Sequence, residues 1–424
     1  MSGRGTNSKT LADLLPKAAQ LYGSNVAVKY KQGDEWQSKT FAEVQEIVMP
    51  LALGLVELGI QKGDRVSILG NTRPEWTYFD FAALSIGATV VPIYQTNSPE
   101  ECRYVLENSD SKVVIVEDDE QLGKVRQVRD QLPQLEQIVL MTGDAEDALS
   151  SEELAAKGSG DASRWAKLYE AVTPEDICTF IYTSGTTGPP KGCIISHGNY
   201  RAMLDMVKET SVIEEGDVTY LYLPLAHSFA LLIQLGSYDL GTTIAYWERD
   251  PLKILPNLAE LKPSYFPSVP RIFEKIYTAA TSAIEKEGGL KKTIFNWAIK
   301  TGEKMRETER AGRKPGFLLQ RQYAFADKKV LSKIRGLFGG NIRLAVSGAA
   351  PINPEILRFF DAAGVLVLEG WGMTETSTAA TISSPDDFKV GTIGKPFPGC
   401  EVKIADDGEI LVKGPNVFQG YHKN

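Results

Sequence analysis

Short apolar runs alternate with helical stretches through the first half of the chain. The runs at residues 65–69, 89–93 and 112–116 are each five residues long and rich in valine and isoleucine. Between them, helices are predicted to begin near Pro74 and after Ser98. Repeated β-α-β units with apolar strands are typical of a parallel sheet that is covered on both faces. The pattern therefore predicts a doubly wound α/β sheet in this part of the chain.

A second series of the same kind begins near Val218. Strands are predicted around residues 219–223, 243–247 and 264–267. Since these strands also alternate with helical stretches, the fold class is expected to be α/β, with two doubly wound and mostly parallel sheets.

The clearest single unit lies near the end of the second series. Residues 342–346 read as a strand, and Asn353 then precedes a proline and a glutamate, which is the pattern of a capped helix start. Residues 365–368 read as the returning parallel strand. Ligands of open α/β sheets bind beyond the carboxyl ends of the strands. The loops at 348–350 and 370–375 are therefore predicted to converge on one ligand.

The last forty residues have a different pattern. Two short β-rich runs, 400–404 and 409–412, flank an Asp-Asp-Gly turn that is typical of a hairpin. We expect this segment to be the start of a small β-barrel. The predicted units are a first α/β subdomain at 62–207, a second one at 8–61 and 208–385, and the barrel segment at 386–424.

Composition limits the classes of function. With 424 residues, of which 43% are hydrophobic, the chain can bury a large core. Its formal charge of −8 argues against general nucleic-acid binding, which needs a basic face. The four cysteines and three histidines are scattered, so neither a disulfide framework nor a zinc site is indicated. With no apolar run long enough to cross a membrane and no signal-peptide pattern, we expect a soluble, cytoplasmic protein.

One stretch departs from the acidic average. Residues 291–343 contain 14 lysines and arginines against 4 acidic residues, interleaved with aromatic and aliphatic side chains such as Trp297 and Phe317. Such a pattern suits peripheral contact with an anionic membrane surface. A solvated pair of helices is the simpler alternative. The oligomeric state is left open.

The richest chemical signal is the segment FIYTSGTTGPPKG at residues 180–192. It follows an apolar run and combines four hydroxyl side chains and three glycines with Lys191. Backbone N–H groups at glycines, hydroxyl donors and a mobile cation together suit a polyphosphate. The two prolines before the lysine distinguish it from a Walker A loop, and a plain polar turn is the alternative. The predicted phosphate-loop residues are Thr183, Ser184, Gly185, Thr186, Thr187, Gly188 and Lys191.

This loop resembles the signature of the AMP-forming adenylation superfamily, which includes acyl-CoA synthetases, luciferases and the adenylation domains of peptide synthetases. Three further segments fit the same family in the expected order, at residues 223–229, 347–351 and 370–377. The resemblance extends from about Lys62 to the end of the chain.

The resemblance implies ATP and Mg²⁺ as ligands and coenzyme A as a co-substrate. It implies that Thr183 and Glu375 hold the metal and that Thr374 meets the α-phosphate. It also implies an adenine site flanked by Gly348, Ala349, Trp371, Gly372 and Met373, with Ala350 and Gly370 as further nucleotide-binding residues. The residues expected to act in catalysis are Lys191, Thr186, His227 and Glu375.

His227 has two interpretations. A lone histidine is more often a core or helix-cap residue, but the family places a histidine or an aromatic residue here to position the substrate carboxylate. The other two histidines do not compete for this role, because His197 reads as part of a helix start that Ser196 caps and His422 lies near the terminus.

The acid substrate is indicated less directly. Residues 263–274, and the extended insertion that follows as far as about 343, are similar to long-chain fatty acyl-CoA synthetases. The expected substrate contacts are His227, Phe229, Ser268, Val269 and Arg271. The apolar residues between Phe229 and Ile233 fit an acyl tunnel or ordinary helix core equally well.

The expected activity is that of a long-chain fatty acid–CoA ligase. The alternatives are a ligase for an aryl or other acid, and a module that binds ATP or acyl-AMP without turnover. In the family, the pattern continues past the hairpin into a ribose-binding aspartate, a hinge and a small C-terminal domain with a catalytic lysine. This chain stops at Asn424, so we expect it to lack that lid and to have low activity.

Overall fold

The computed structural model describes residues 5–158, 160–183 and 188–424. Its strands are, in chain order, β1 (Val26–Gln32), β2 (Glu35–Thr40), β3 (Arg65–Leu69), β4 (Thr89–Ile93), β5 (Ser111–Val116), β6 (Gln137–Leu140), β7 (Leu149–Ser150), β8 (Ile177–Thr183), β9 (Lys191–Ser196), β10 (Val218–Leu221), β11 (Thr243–Tyr246), β12 (Tyr265–Ser268), β13 (Leu344–Ser347), β14 (Val367–Trp371), β15 (Thr381–Ile382), β16 (Lys395–Pro396), β17 (Glu401–Ile404), β18 (Ile410–Lys413) and β19 (Gly420–Tyr421).

The helices are α1 (Leu14–Tyr22), α2 (Phe41–Glu57), α3 (Pro74–Ser85), α4 (Pro99–Asn108), α5 (Asp119–Val128), α6 (Ser151–Lys157), α7 (Ala162–Glu170), α8 (His197–Thr210), α9 (Ser228–Leu240), α10 (Ile254–Leu261), α11 (Pro270–Glu287), α12 (Gly289–Arg310), α13 (Phe317–Ala326), α14 (Ser332–Gly336) and α15 (Pro354–Ala362). Short 3₁₀ turns occur at Arg129–Gln131 and Thr374–Thr376, and a π-helical turn at Asp327–Leu331.

The first sheet has eight strands in the order β19-β9-β8-β4-β3-β5-β6-β7. From β8 to β7 all neighbours are parallel, while β9 and β19 join antiparallel at one edge. This confirms the parallel sheet predicted from the apolar runs. The predicted helix starts are also confirmed, because Pro74 is the first residue of α3 and Ser98 caps α4.

The second sheet has nine strands in the order β16-β15-β14-β13-β12-β10-β11-β1-β2. Its centre, from β14 to β1, is parallel, and its edge strands are antiparallel. The two sheets together confirm the predicted α/β class. Asn353 caps α15 as expected, since its side chain accepts the N–H of Glu355 at 2.9 Å.

Residues 386–424, expected to start a barrel, do not form one sheet. Strands β17 and β18 make the predicted hairpin, but β16 joins the second sheet and β19 joins the first. No closed barrel is present among the described residues. Strand β19 pairs instead with β9, where it covers an edge that would otherwise leave backbone groups unpaired.

Helices α3 and α9 are buried in the core and are hydrogen-bonded to each other. In α3 every residue except Glu75 is buried, and in α9 every residue except Phe229 is buried, which is typical of helices enclosed on all sides. A polar chain joins them: the Gln234 amide donates to Asp80 at 2.7 Å and accepts from Thr77 at 2.6 Å. These bonds fix α9, whose first turn borders the site described next.

Candidate functional site

A cavity of about 570 Å³ lies where strand ends from both sheets come together. Strand β8 ends there at Thr183, β9 begins there, and β13 and β14 point their carboxyl ends at it. The volume is within the usual range for small-molecule sites. The loops after β13 and β14 both line the cavity, as expected from their positions at the carboxyl ends of these strands.

Most of the expected site residues line this one cavity. They are Thr183, Lys191, His227, Phe229, Gly348, Ala349, Gly370, Trp371, Gly372, Met373, Thr374 and Glu375. Gly370 and Trp371 were expected in a loop but lie within β14, because the strand continues past its parallel pairing and forms an antiparallel pair with β15.

Several expected residues are placed elsewhere. Ser184, Gly185, Thr186 and Thr187 lie outside the described residues. Gly188 and Ala350 are described but do not line the cavity.

Three expected substrate contacts, Ser268 at the end of β12 and Val269 and Arg271 after it, do not line the cavity. The Ser268 hydroxyl is buried and bonds to the Tyr222 hydroxyl at 2.5 Å, while Val269 packs against the core. The Arg271 side chain is 78% exposed and pairs with Glu274. Residue 271 points outward because the packed face of α11 is formed by Phe273 and Ile276.

The polar end of the cavity contains its two formally charged described residues, Lys191 and Glu375. Thr183 and Lys191 are direct partners across the β8–β9 pair, so their side chains project from the same face of the sheet at the end of the hairpin. The Tyr104 hydroxyl donates to the Pro190 carbonyl at 2.9 Å and fixes the chain just before the lysine. Lys191 therefore supplies a cation and Glu375 a carboxylate to the same cavity.

The segment that carries Glu375 is held by buried hydrogen bonds. The Asn416 side chain is fully buried and donates to the carbonyls of Thr376 and Ala379, at 3.1 and 2.8 Å. The Tyr421 hydroxyl donates to the Glu375 carboxylate at 2.7 Å. This bond, followed by burial, raises the pKa of Tyr421 to about 12, so its hydroxyl stays a donor at neutral pH.

Glycine at 372 is required by a close approach of the chain to itself. A Cβ atom there would lie 2.2 Å from the Thr378 carbonyl oxygen and 2.3 Å from the Ala379 Cα. Gly348 is less restricted, since a Cβ there would lie 3.3 Å from the Phe229 ring. Gly372 thus allows the chain after β14 to pass against residues 378–379, and Gly348 leaves room for the Phe229 ring.

His227 is a helix-cap residue that also lines the cavity. It caps α9, because its Nδ1 atom accepts the backbone N–H of Phe229 at 3.1 Å. Burial lowers the pKa of the imidazole, and a neutral ring whose Nδ1 accepts must carry its proton on Nε2. His227 also lines the cavity, so its Nε2–H group is a fixed donor on the same side chain that starts the helix.

Part of the cavity lining is apolar. It is formed by Val207, Val212, Ile213, Leu232, Ile233 and Phe397. Leu232 and Ile233 fit the expected tunnel, whereas Leu231 is buried in the core and does not line the cavity. The contributions of α8 and of β16's neighbour Phe397 were not predicted, although the apolar face of α8 is visible in its sequence. One cavity therefore combines polar and charged residues with apolar side chains.

Among the described residues, no helix is both long and apolar enough to cross a membrane. The same residues contain no cluster of three or more histidine, cysteine or acidic side chains that could form a metal site by itself. All four cysteines are unpaired and buried.

Comparison with known proteins agrees with these features. The chain is 39% identical over 392 residues to the long-chain-fatty-acid–CoA ligase FadD15 of Mycobacterium bovis, a match that covers 92% of this chain and 64% of that protein. The chain thus spans less than two thirds of the length of this relative.

Solved structures share the fold. A long-chain-fatty-acid–CoA ligase, FadD1, from Archaeoglobus fulgidus superposes with a TM-score of 0.74 at 21% identity, covering 98% of this chain and 77% of that one. The N-terminal domain of FACL13 from Mycobacterium tuberculosis gives 0.70 at 20% identity, covering 98% and 92%. The model of the AMP-binding enzyme family matches residues 15–422, and the chain belongs to that family.

Proposed function

We propose that this chain activates a long-chain fatty acid with ATP and that the whole protein transfers the acyl group to coenzyme A. The observation that carries the proposal is one cavity lined both by the polar residues Lys191, Glu375 and Thr183 and by a set of apolar side chains. An acyl-adenylate has the same division, with an anionic phosphate beside a long apolar chain. The name of the relative with 39% identity supports the choice of a long-chain acid.

In the proposed reaction, a carboxylate oxygen of the acid bonds to the α-phosphorus of ATP, and the bond to the bridging oxygen breaks to release pyrophosphate. The thiolate of coenzyme A then attacks the acyl carbon and AMP leaves. Lys191 would bind the departing phosphates together with the hydroxyls of residues 184, 186 and 187. The fixed Nε2–H of His227 would orient the carboxylate by donating to one of its oxygens.

The residues present fit Mg²⁺. The Glu375 carboxylate and the Thr183 hydroxyl are hard oxygen donors on the wall of the cavity that also contains Lys191. Mg²⁺ is commonly held by one or two carboxylates together with substrate phosphates and water, so a larger protein cluster is not required. When bound, the metal would neutralise charge on the phosphates.

The adenine is proposed to lie against the backbone of residues 348–349 and 371–373. The glycines there contribute backbone to the cavity lining, and Trp371 and Met373 add apolar surface beside it. Thr374, at the start of the 3₁₀ turn, is the proposed donor to the α-phosphate.

Single-turnover adenylation tests the proposal. The chain in excess over radiolabelled ATP would be mixed with hexadecanoate, benzoate or acetate, and acyl-AMP and pyrophosphate would be counted. We expect product with hexadecanoate above the other two acids. Preference for benzoate or acetate would contradict the long-chain assignment, and ATP binding without any adenylate would favour a binding module.

We further propose that residues 291–343 contact an anionic membrane from the cytoplasmic side, where a fatty acid would be found. Phe317 and Leu318, at the start of α13, are 72% and 69% exposed, and Arg321 lies 4.9 Å from the Phe317 ring centroid. Exposed apolar side chains among cations suit such a surface. The unpaired cysteines support a reducing compartment.

Vesicle sedimentation tests this contact. We expect binding to vesicles containing phosphatidylglycerol, weaker binding to pure phosphatidylcholine, and loss of binding in Phe317→Ser/Leu318→Ser. Leu252→Ser, at a residue that is 84% exposed outside the basic stretch, serves as the matched control. Equal binding by the double variant and the parent chain would contradict the proposal.

A further inference from the structure

Tyr421 contacts both of the charged residues at the polar end of the cavity. Its hydroxyl donates to the Glu375 Oε1 atom at 2.7 Å. Its ring lies beneath the Lys191 ammonium, with 5.2 Å between Nζ and the ring centroid. Tyr421 itself lines the cavity. One side chain thus joins the carboxylate and the cation that were expected, separately, to act on the metal and on the phosphates.

The backbone fixes this arrangement from two sides. In β19, Tyr421 is the register partner of Cys193 in β9, and the N–H of His422 donates to the Gly192 carbonyl at 2.8 Å. Upstream, the N–H of Phe418 donates to the carbonyl of Glu375 at 2.9 Å. The segment is therefore a strap between the strand that begins with Lys191 and the turn that contains Glu375.

The ring of Tyr421 is also supported. The Phe418 ring packs edge-on against it, with 4.9 Å between centroids. Supported in this way, the ring has a defined face for the ammonium group, and the hydroxyl has a defined direction toward the carboxylate. A carboxylate that accepts a hydrogen bond at one oxygen presents the other oxygen in a fixed direction. Hydrogen bonds of this kind to a metal-binding side chain increase the affinity for the metal.

We propose that Tyr421 is a positioning residue that orients Glu375 for Mg²⁺ through its hydroxyl and Lys191 for phosphate through its ring. The inference rests on the proposed function, because it concerns the same ATP site. It adds that the Tyr421 hydroxyl acts on Mg²⁺ binding and the Tyr421 ring on phosphate binding. Different substitutions of Tyr421 can therefore remove one effect or both.

Tyr421→Phe removes the hydroxyl and keeps the ring. We expect the Mg²⁺ concentration that half-saturates ATP binding to rise about tenfold, because a metal-binding carboxylate that loses its orienting hydrogen bond typically loses about that much affinity. ATP binding measured in EDTA should stay unchanged. Tyr421→Leu removes the ring as well, so ATP binding in EDTA should weaken by about two- to fivefold, the range of an exposed cation–π contact.

The measurement is calorimetric titration of ATP into the chain at stepped Mg²⁺ concentrations and in EDTA. Tyr277→Phe is the matched control, because the Tyr277 hydroxyl donates to Glu355 at 3.1 Å and Tyr277 does not line the cavity. The control should reproduce the parent chain in both conditions.

The outcomes separate the two levels of the proposal. A parent chain that binds no ATP overturns the proposed function and this inference with it. A parent chain that binds ATP with a Mg²⁺ dependence that Tyr421→Phe leaves unchanged overturns the inference alone. If Tyr421→Phe weakens binding equally in Mg²⁺ and in EDTA, the residue acts on general folding of the strap and the inference is also overturned.

Discussion

Replacing Asp80 by asparagine tests the polar chain that joins α3 to α9. The Asp80 side chain is almost fully buried and accepts a hydrogen bond from the Gln234 amide at 2.7 Å. No salt bridge to Asp80 occurs among the described residues. Burial therefore raises the pKa of this carboxyl from 3.8 to about 7, partly offset by the bond from Gln234.

The sign of the effect follows from the raised pKa. Between about pH 4 and pH 7 the folded state holds a proton at Asp80 that the unfolded state has lost. The stability that the folded state gains from the protonated Asp80 carboxyl is fully present below pH 4 and is lost as the pH rises toward and through 7. Each pH unit is worth about 1.4 kcal/mol, so the interval amounts to roughly 4 kcal/mol in the free energy of unfolding.

Asp80→Asn keeps a neutral, isosteric group at every pH. The extra N–H donor of the amide lowers the free energy of unfolding by an amount that does not depend on pH. The informative quantity is therefore how the difference in free energy of unfolding between variant and parent changes with pH. We expect that difference to move in favour of the variant by up to about 4 kcal/mol between pH 4 and pH 8.

The assay is urea unfolding followed by circular dichroism at pH 4, 6 and 8. Asp406→Asn, in the exposed turn of the β17–β18 hairpin, is the matched control and should track the parent chain. A constant offset between Asp80→Asn and the parent over the whole range would refute the reasoning, since it would mean that Asp80 is ionised in the folded state.

Three other outcomes are expected. Lys191→Ala and Glu375→Gln should each slow single-turnover adenylation by about 30- to 1000-fold, whereas Lys403→Ala, at an exposed residue, should have no effect; unaltered rates in the first two would contradict the site assignment. Affinity for acyl-adenylates, measured by calorimetry, should rise about fourfold per methylene until the apolar wall is covered, and Phe397→Leu should move the plateau to longer chains; affinity independent of length would count against the tunnel. Burial lowers the pKa of His197 to about 4, so the unfolded state takes up a proton first and roughly 3 kcal/mol of stability is lost as the pH falls from 6.5 to 4. His197→Asn should flatten this decline in urea midpoints, and an unchanged slope would exclude the histidine as its source.

The sequence alone determined what depends on local patterns. The apolar runs of β3, β4 and β13 were predictable because a strand buried on both faces has few polar residues. The starts of α3 and α15 were predictable because first-turn prolines, and in α15 the Asn353 cap, act within a few residues. Lys191 and Glu375 could be proposed as site residues because the motifs that contain them are contiguous in the sequence, and both line the cavity.

Only the tertiary structure decided which distant residues meet. Strand β19 is two residues long and has no periodicity of its own, yet it brings Tyr421 to Glu375 through pairing with a strand more than 220 residues earlier. Arg271 was expected at the substrate but faces solvent, because the rotation of α11 is set by the side chains it buries. Pairing across long sequence separations and the choice of a helix's packed face depend on the whole core, so no local pattern contains them.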